Sequence, residues 1–253
     1  NPFYQIYEGA ALLAGVQPKL IASNLSTDFL ANYRNLSEDD WEACQMLFLC
    51  TPGNPSGAVI PESELQWLIQ KAIEHDVILV SDECYSELYY DEAAPPVGLL
   101  QAAQSHGNSE FKQCLAFHSL SKRSNLPGLR SGFVAGDASL IQVFRRYRTY
   151  HGCAMPPHHQ LASIAAWRDE AHVVENRALY RAKFDSVNAL LAPALNTVIP
   201  PAGFYLWPNT PISDTKFARA LLEQQNVAVL PGSYLGREVG GQNPGSNHVR
   251  MAL

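Results

Sequence analysis

Basic charge is in short supply: 18 Lys and Arg stand against 24 Asp and Glu, a formal net charge of -6 with a sequence pI near 5.7. That balance offers no cationic excess to displace counterions from a phosphate backbone, so nucleic acid is not an expected partner. Long apolar runs are missing too. No stretch approaches the length that a bilayer crossing needs, and the opening Asn1-Pro2-Phe3-Tyr4 lacks the charged and apolar regions of a secretion signal. The expectation is a soluble, cytoplasmic protein with no membrane partner. Cysteine is sparse and odd in number: Cys44, Cys50, Cys84, Cys114 and Cys153 lack the pairing of a disulfide framework and the spacing of zinc knuckles. They are expected as reduced, mostly buried thiols, and no metal site is expected. The chain has no initiating Met and stops three residues after Arg250, so it is expected to be a piece of a longer protein.

What is present is enough apolar residue, 47% of 253, to bury one large domain and part of a second. Short apolar runs at Met46 to Cys50, Val77 to Ser81, Leu115 to His118 and Gly132 to Ala135 read as strands. Between the first two, Leu65, Leu68, Ile69, Ala72 and Ile73 recur at helical spacing behind Pro61 and Glu62, predicting an amphipathic crossover helix. Further helices are predicted from Ala138 to Tyr150 and from Glu170 to Leu191, the latter with Phe184, Val187, Leu190 and Leu191 along one side. After Pro193 the pattern changes to short strands around Phe204 to Trp207 and Val227 to Leu230, with a helix near Thr215 to Gln225 and a Gly- and Asn-rich loop from Gly236 to Asn247. The expected fold class is α/β: a three-layer, mostly parallel sheet with helices on both faces over residues 1–170, and a smaller, incomplete α+β domain over 171–253.

Three polar clusters follow three of these strands directly: Asn54-Pro55-Ser56-Gly57, Asp82-Glu83-Cys84-Tyr85 and Ser119-Leu120-Ser121-Lys122. Ligands of open α/β sheets sit beyond the carboxyl ends of the strands, so the three are expected to converge on one crevice. Each has an ordinary explanation when taken singly. Asn-Pro-x-Gly is a common turn, an Asp at a strand end often caps a helix, and a single Lys is usually a solvated charge. Their shared order and strand context favour a site.

Ser119-x-Ser121-Lys122 followed by Gly128-x-Arg130-x-Gly132 resembles the cofactor-lysine segment of the fold-type I aminotransferases. The opening Pro2-Phe3-Tyr4, the Asn54-Pro55-x-Gly57 turn, Asp82-Glu83-x-Tyr85, Pro231-Gly232-Ser233 and Val249-Arg250 occur in that family's order, so the resemblance spans nearly the whole chain. It implies pyridoxal 5'-phosphate as cofactor, amino acids and 2-oxo acids as substrates, and a homodimer. Lys122 would be joined through its amine to the cofactor aldehyde and, once displaced, would move the substrate proton. Asp82 would keep the pyridine nitrogen protonated, and Tyr85 and Asn54 would hydrogen-bond the phenolic oxygen. Tyr4 would stack on the ring, Ser119, Ser121 and Arg130 would hold the phosphate, and Arg250 would bind the substrate α-carboxylate. The family's upstream phosphate loop and its N-terminal residues have no counterpart in these 253 positions.

Other constellations point elsewhere and are weaker. His158 and His159 are adjacent, a spacing expected to send them to different sides of a helix, with no carboxylate or thiol at ligand spacing. Ser119 with a His and Asp82 lacks the Gly-x-Ser-x-Gly elbow of a hydrolase, and Cys84 has no His partner, so it reads as packing. Within the family, the run Leu120 to Asp137, with Ala202-Gly203-Phe204-Tyr205-Leu206-Trp207 and Asn243-Pro244-Gly245, is similar to bacterial succinyldiaminopimelate aminotransferases. That similarity implies exchange of an amino group between glutamate/2-oxoglutarate and an N-succinylated diamino acid in lysine biosynthesis. The alternatives are another class I aminotransferase acting on aspartate, alanine or aromatic amino acids, and a carbon-sulfur lyase. A regulator built on this fold would normally carry a helix-turn-helix, of which there is no sign.

Overall fold

Leu65, Leu68, Ile69 and Ala72 are all fully buried, as their spacing on one helix face requires. The helix that carries them, Glu62–Glu74, opens with Glu62 and Glu64 in its first turn, where carboxylates suit the exposed N–H groups. The computed structural model describes residues 1–152 and 154–253; Cys153 lies outside the described residues.

In chain order the strands are β1 (Met46–Cys50), β2 (Ile78–Asp82), β3 (Cys114–Ser119), β4 (Gly132–Gly136), β5 (Tyr205–Leu206), β6 (Leu230–Pro231) and β7 (Val249–Ala252). The helices are α1 (Ile6–Leu13), α2 (Glu38–Ala43), α3 (Glu62–Glu74), α4 (Leu99–Ser105), α5 (Leu120–Arg123), α6 (Ala138–Tyr150), α7 (Pro157–Arg168), α8 (Ala171–Leu191) and α9 (Asp214–Gln225). No helix among the described residues is long and apolar enough to cross a membrane.

The chain divides into two compact units. Unit 1 comprises residues 1–35, 53–58 and 179–253, and unit 2 comprises residues 36–52 and 59–178. This partition differs from a single cut near residue 170, because the first 35 residues go with the C-terminal segment and α8 passes from one unit to the other after Ala178.

Unit 2 is built on a four-stranded sheet in the order β1-β2-β3-β4. The first three strands are parallel and β4 runs antiparallel to β3, giving a mixed α/β unit. Cys50 faces Asp82, and Asp82 faces Phe117, so the carboxyl ends of three parallel strands finish side by side. The α3 stripe lies with Leu79, Leu88, Leu99, Ala102, Ala116 and Leu120 in the buried interior. Helix α6 begins where Asp137 accepts hydrogen bonds from the backbone N–H groups of Ser139 and Leu140.

Unit 1 holds a three-stranded antiparallel sheet with β7 between β5 and β6. Val227 lies outside any strand and is exposed, which narrows the expected strand at Val227 to Leu230 to the short β6; Asn226, left-handed at φ 55°, ends α9 immediately before it. Along the C-terminal part of α8, Phe184 is buried whereas Leu190 is exposed, so the expected apolar side is only partly covered. The N-terminal segment is tied down by Phe3 N–H donating to the Leu235 carbonyl at 3.1 Å, and by a pair of bonds between the Asn1 side chain and the Arg237 backbone at 2.8 and 2.9 Å.

Candidate active site

Asp82 closes β2 and Ser119 closes β3, two neighbouring parallel strands, so both side chains belong to the rim where such sheets bind ligands. Asp82 Oδ1 accepts the Cys84 backbone N–H at 3.1 Å, which turns the chain back at the strand end. The Cys84 thiol lies in the same turn and is half-buried. Burial, the Asp82 carboxylate and Cys50 all push this thiol well above the ordinary value, while the positive charge of Lys122 pulls it down. Tyr85, next in the chain, is buried at 7% exposure.

Lys122 sits on α5, a single turn whose entry is organised by serine hydroxyls. Ser119 Oγ accepts the Ser121 N–H at 3.0 Å, lies 2.8 Å from Ser121 Oγ and lies 3.2 Å from the Ser131 carbonyl. The neighbouring Arg123 is buried and engaged by Glu170 and by the Ala166 carbonyl at 2.9 Å, with its guanidinium over Trp167. Of the two adjacent cations, Arg123 is therefore a structural anchor, and Lys122 is half-buried at the strand end. Arg130 is left-handed at φ 53° and exposed, and its Nη1 donates to the Pro127 carbonyl at 2.8 Å. The structure brings Ser119 and Ser121 together, and it turns the Arg130 guanidinium back on its own loop.

A second set of residues belongs to unit 1. Asn54 is buried, and its Oδ1 accepts Arg250 Nη1 at 2.8 Å. The turn that carries Asn54 is closed by Gly53 N–H to the Ala58 carbonyl at 2.8 Å and Gly57 N–H to the Gly53 carbonyl at 2.7 Å. Gly57 has φ 75°, and a Cβ there would collide with the Ala202 carbonyl and stand 2.6 Å from Pro200 Cβ. Arg250 lies on β7 with its guanidinium carbon 4.4 Å from the Tyr205 ring centroid. Tyr4 is 44% exposed and meets Tyr7 edge-on at 5.8 Å.

Glu83, which the sequence marks only as part of a motif, and His118, beside the serines, are joined in the structure. Glu83 is 4% exposed, and its Oε1 accepts from the Ser81 hydroxyl at 2.9 Å and the Leu99 N–H at 2.7 Å, while its Oε2 lies 3.3 Å from His118 Nε2. Gly98 is required beside it, since a Cβ there would stand 2.6 Å from Glu83 Oε2. A cavity of about 340 Å³ opens here, lined in part by Glu83, Glu87, Tyr89, Pro96 and His118. The available signal was positional: 83 follows the end of β2, and 118 precedes the end of β3. His158 and His159 stand in the first turn of α7 with their rings edge to face at 4.6 Å, the first exposed and the second half-buried. The thiols differ from expectation in burial: Cys114 is buried, but Cys44, Cys50 and Cys84 are only half-buried, and none of these four forms a disulfide among the described residues.

The chain is 30% identical to LL-diaminopimelate aminotransferase of Maridesulfovibrio salexigens, with all of this chain matching 63% of that protein. Among solved structures, an aminotransferase from Neisseria meningitidis matches at 46% identity and TM-score 0.93, covering all of this chain and 64% of that one. A probable N-succinyldiaminopimelate aminotransferase from Thermus thermophilus matches at 27% identity and TM-score 0.83, covering 99% of this chain and 64% of that one. The chain thus spans less than two thirds of the length of each of these relatives. Since the family model for aminotransferase class I and II matches residues 1–253 in full, the chain belongs to that family.

Proposed function

We propose that the protein transfers amino groups with pyridoxal 5'-phosphate, the cofactor of its family, between glutamate/2-oxoglutarate and an N-succinylated diamino acid of lysine biosynthesis. The observation that carries this reading is the placement of Asp82 at the end of β2 and of Ser119, three residues before Lys122, at the end of the adjoining parallel strand β3.

The donor types suit the coenzyme: an amine for an aldehyde, a carboxylate for a ring nitrogen, and two adjoining serine hydroxyls for a phosphate, which the Arg130 guanidinium would join on leaving the Pro127 carbonyl. When bound, pyridoxal phosphate supplies the electron sink that stabilises negative charge at the substrate Cα. Asp82 would hold a proton on the ring nitrogen. Lys122 Nζ would carry the proton from the substrate Cα to the carbon that had been the cofactor aldehyde, acting as a base positioned by the short α5 turn. Tyr85 and Asn54 would hydrogen-bond the phenolic oxygen, Tyr4 would cover a ring face, and Ser119, Ser121 and Arg130 would take the phosphate. Arg250 has Nη1 committed to Asn54 and one face over Tyr205, and its remaining edge meets no acceptor among the described residues. That edge would receive the substrate α-carboxylate.

Two relatives carry diaminopimelate in their names, which supports an acceptor of that type, and the run Leu120 to Asp137 favours its succinylated form. With this role go a homodimer and a cytoplasmic location. The test uses the full-length protein. Borohydride reduction of the holoenzyme, followed by peptide mapping, is expected to leave the cofactor on Lys122. A glutamate-dependent assay across 2-oxo acids and N-succinylated acceptors is expected to favour the latter. Label on a different residue would overturn the assignment of Lys122. Preference for LL-diaminopimelate, aspartate or an aromatic acceptor would overturn the substrate, and release of ammonia with a keto acid would mark a lyase.

A further inference from the structure

Tyr205 pairs with Ala252 across β5 and β7, so Arg250, two residues back along β7, is its diagonal neighbour on the same face of the sheet. The long side chain closes that diagonal and sets its guanidinium carbon 4.4 Å from the ring centroid. Tyr205 is itself fixed, being 7% exposed and in contact with Phe204 at 4.4 Å between ring centroids. Phe204 in turn stacks on Tyr180 at 5.7 Å. An aromatic row therefore stands behind the cation, while Asn54 holds one of its nitrogens at 2.8 Å.

We propose that Tyr205 is a positioning residue for carboxylate recognition. Its ring holds the plane of the Arg250 guanidinium, so that the open edge is presented as a preset two-donor fork. The inference rests on the reading of Arg250 as the α-carboxylate ligand. A guanidinium is weakly hydrated and stacks readily on an aromatic face, whose quadrupole attracts it. The ring also removes rotamer freedom that a flexible arginine would otherwise lose on meeting substrate. An aliphatic side chain of similar size fills the space and supplies neither effect.

The experiment uses the full-length holoenzyme and the variants Tyr205→Phe, Tyr205→Leu, Tyr205→Met and Arg250→Lys, each checked for cofactor content and melting temperature. KM and kcat are measured with L-glutamate, and 4-aminobutyrate, which lacks the α-carboxylate, serves as the competing probe. Tyr205→Leu and Tyr205→Met are expected to raise the glutamate KM about tenfold. They should leave kcat and 4-aminobutyrate inhibition near wild type, and Tyr205→Phe should match wild type throughout. An unchanged KM in the two aliphatic variants, with a raised KM in Arg250→Lys, would overturn the role of Tyr205 alone. An unchanged KM in Arg250→Lys as well would overturn the reading of Arg250. Equal losses in Tyr205→Phe and Tyr205→Leu would assign the effect to the hydroxyl and refute the ring's part. If both aliphatic variants lose cofactor, a glutamate KM unaffected by Tyr205→Trp, whose ring is larger, supports the ring, and a KM raised as in Arg250→Lys counts against it.

Discussion

His118 Nε2 stands 3.3 Å from Glu83 Oε2, which joins the residue after Asp82 to the residue before Ser119 across two parallel strands. The same carboxylate takes the Ser81 hydroxyl and the Leu99 N–H, so β2, β3 and the start of α4 meet on one buried group. Replacing Glu83 with Leu leaves all three donors without an acceptor. Stability should fall by about 3 kcal/mol, with Glu83→Gln losing less because it keeps an acceptor oxygen. Urea unfolding followed by circular dichroism measures both.

Asp82→Asn keeps the shape of the side chain and removes its charge. If Asp82 holds the proton on the cofactor ring, kcat should drop by about 10³-fold, while the thermal midpoint changes little. A decline in kcat of less than about tenfold would remove Asp82 from that role.

Burial, and after it the Asp137 carboxylate, pushes the Cys114 thiol from the ordinary 9.0 up to about 12. Cys84 is shifted in the same direction. Below pH 9 both the folded and unfolded chains keep these protons; above it the unfolded chain releases them first. Stability from these thiols is therefore complete below the unfolded value and is lost as pH climbs through the folded one. The urea midpoint of the wild type should decline more steeply between pH 9 and 11 than that of Cys114→Ala. Parallel declines would show that this thiol contributes nothing.

Gly57→Ala should be among the most damaging single-methyl changes in unit 1. The added carbon meets the Ala202 carbonyl and Pro200 in a left-handed turn, a combination costing about 2 to 3 kcal/mol. Because that turn carries Asn54, glutamate affinity should weaken along with stability. Gly9→Ala, where the new Cβ meets nothing within 4 Å, is the control.

Local patterns were legible where one physical cause dominated. The β1 limits Met46 and Cys50 and the α6 limits Ala138 and Tyr150 coincide with those read from periodicity, the second because Asp137 is a competent cap. β2, β3 and α8 differ by a residue at one or both ends, where caps and ladder ends fray. Val227 misled because an apolar run has the same appearance whether it pairs or follows an exposed helix end. The compact units were not legible at all, since residues 1–35 join a segment more than a hundred positions away through bonds such as Asn1 to Arg237. At the candidate site, Lys122, Asp82 and Asn54 were marked by motif. Glu83 and Tyr205 were not singled out, because their roles arise from cross-strand neighbours that no local spacing reveals.

Ser119 faces Gly132 in the antiparallel ladder, and the Leu120 N–H bonds the Ser131 carbonyl at 3.1 Å. The stretch between them is consequently a cinched loop, closed at its base by β3 and β4. Lys122 and Arg130 both ride on it, one three residues past Ser119 and the other two residues before Gly132, so the strand pairing that closes the loop fixes where each of them begins.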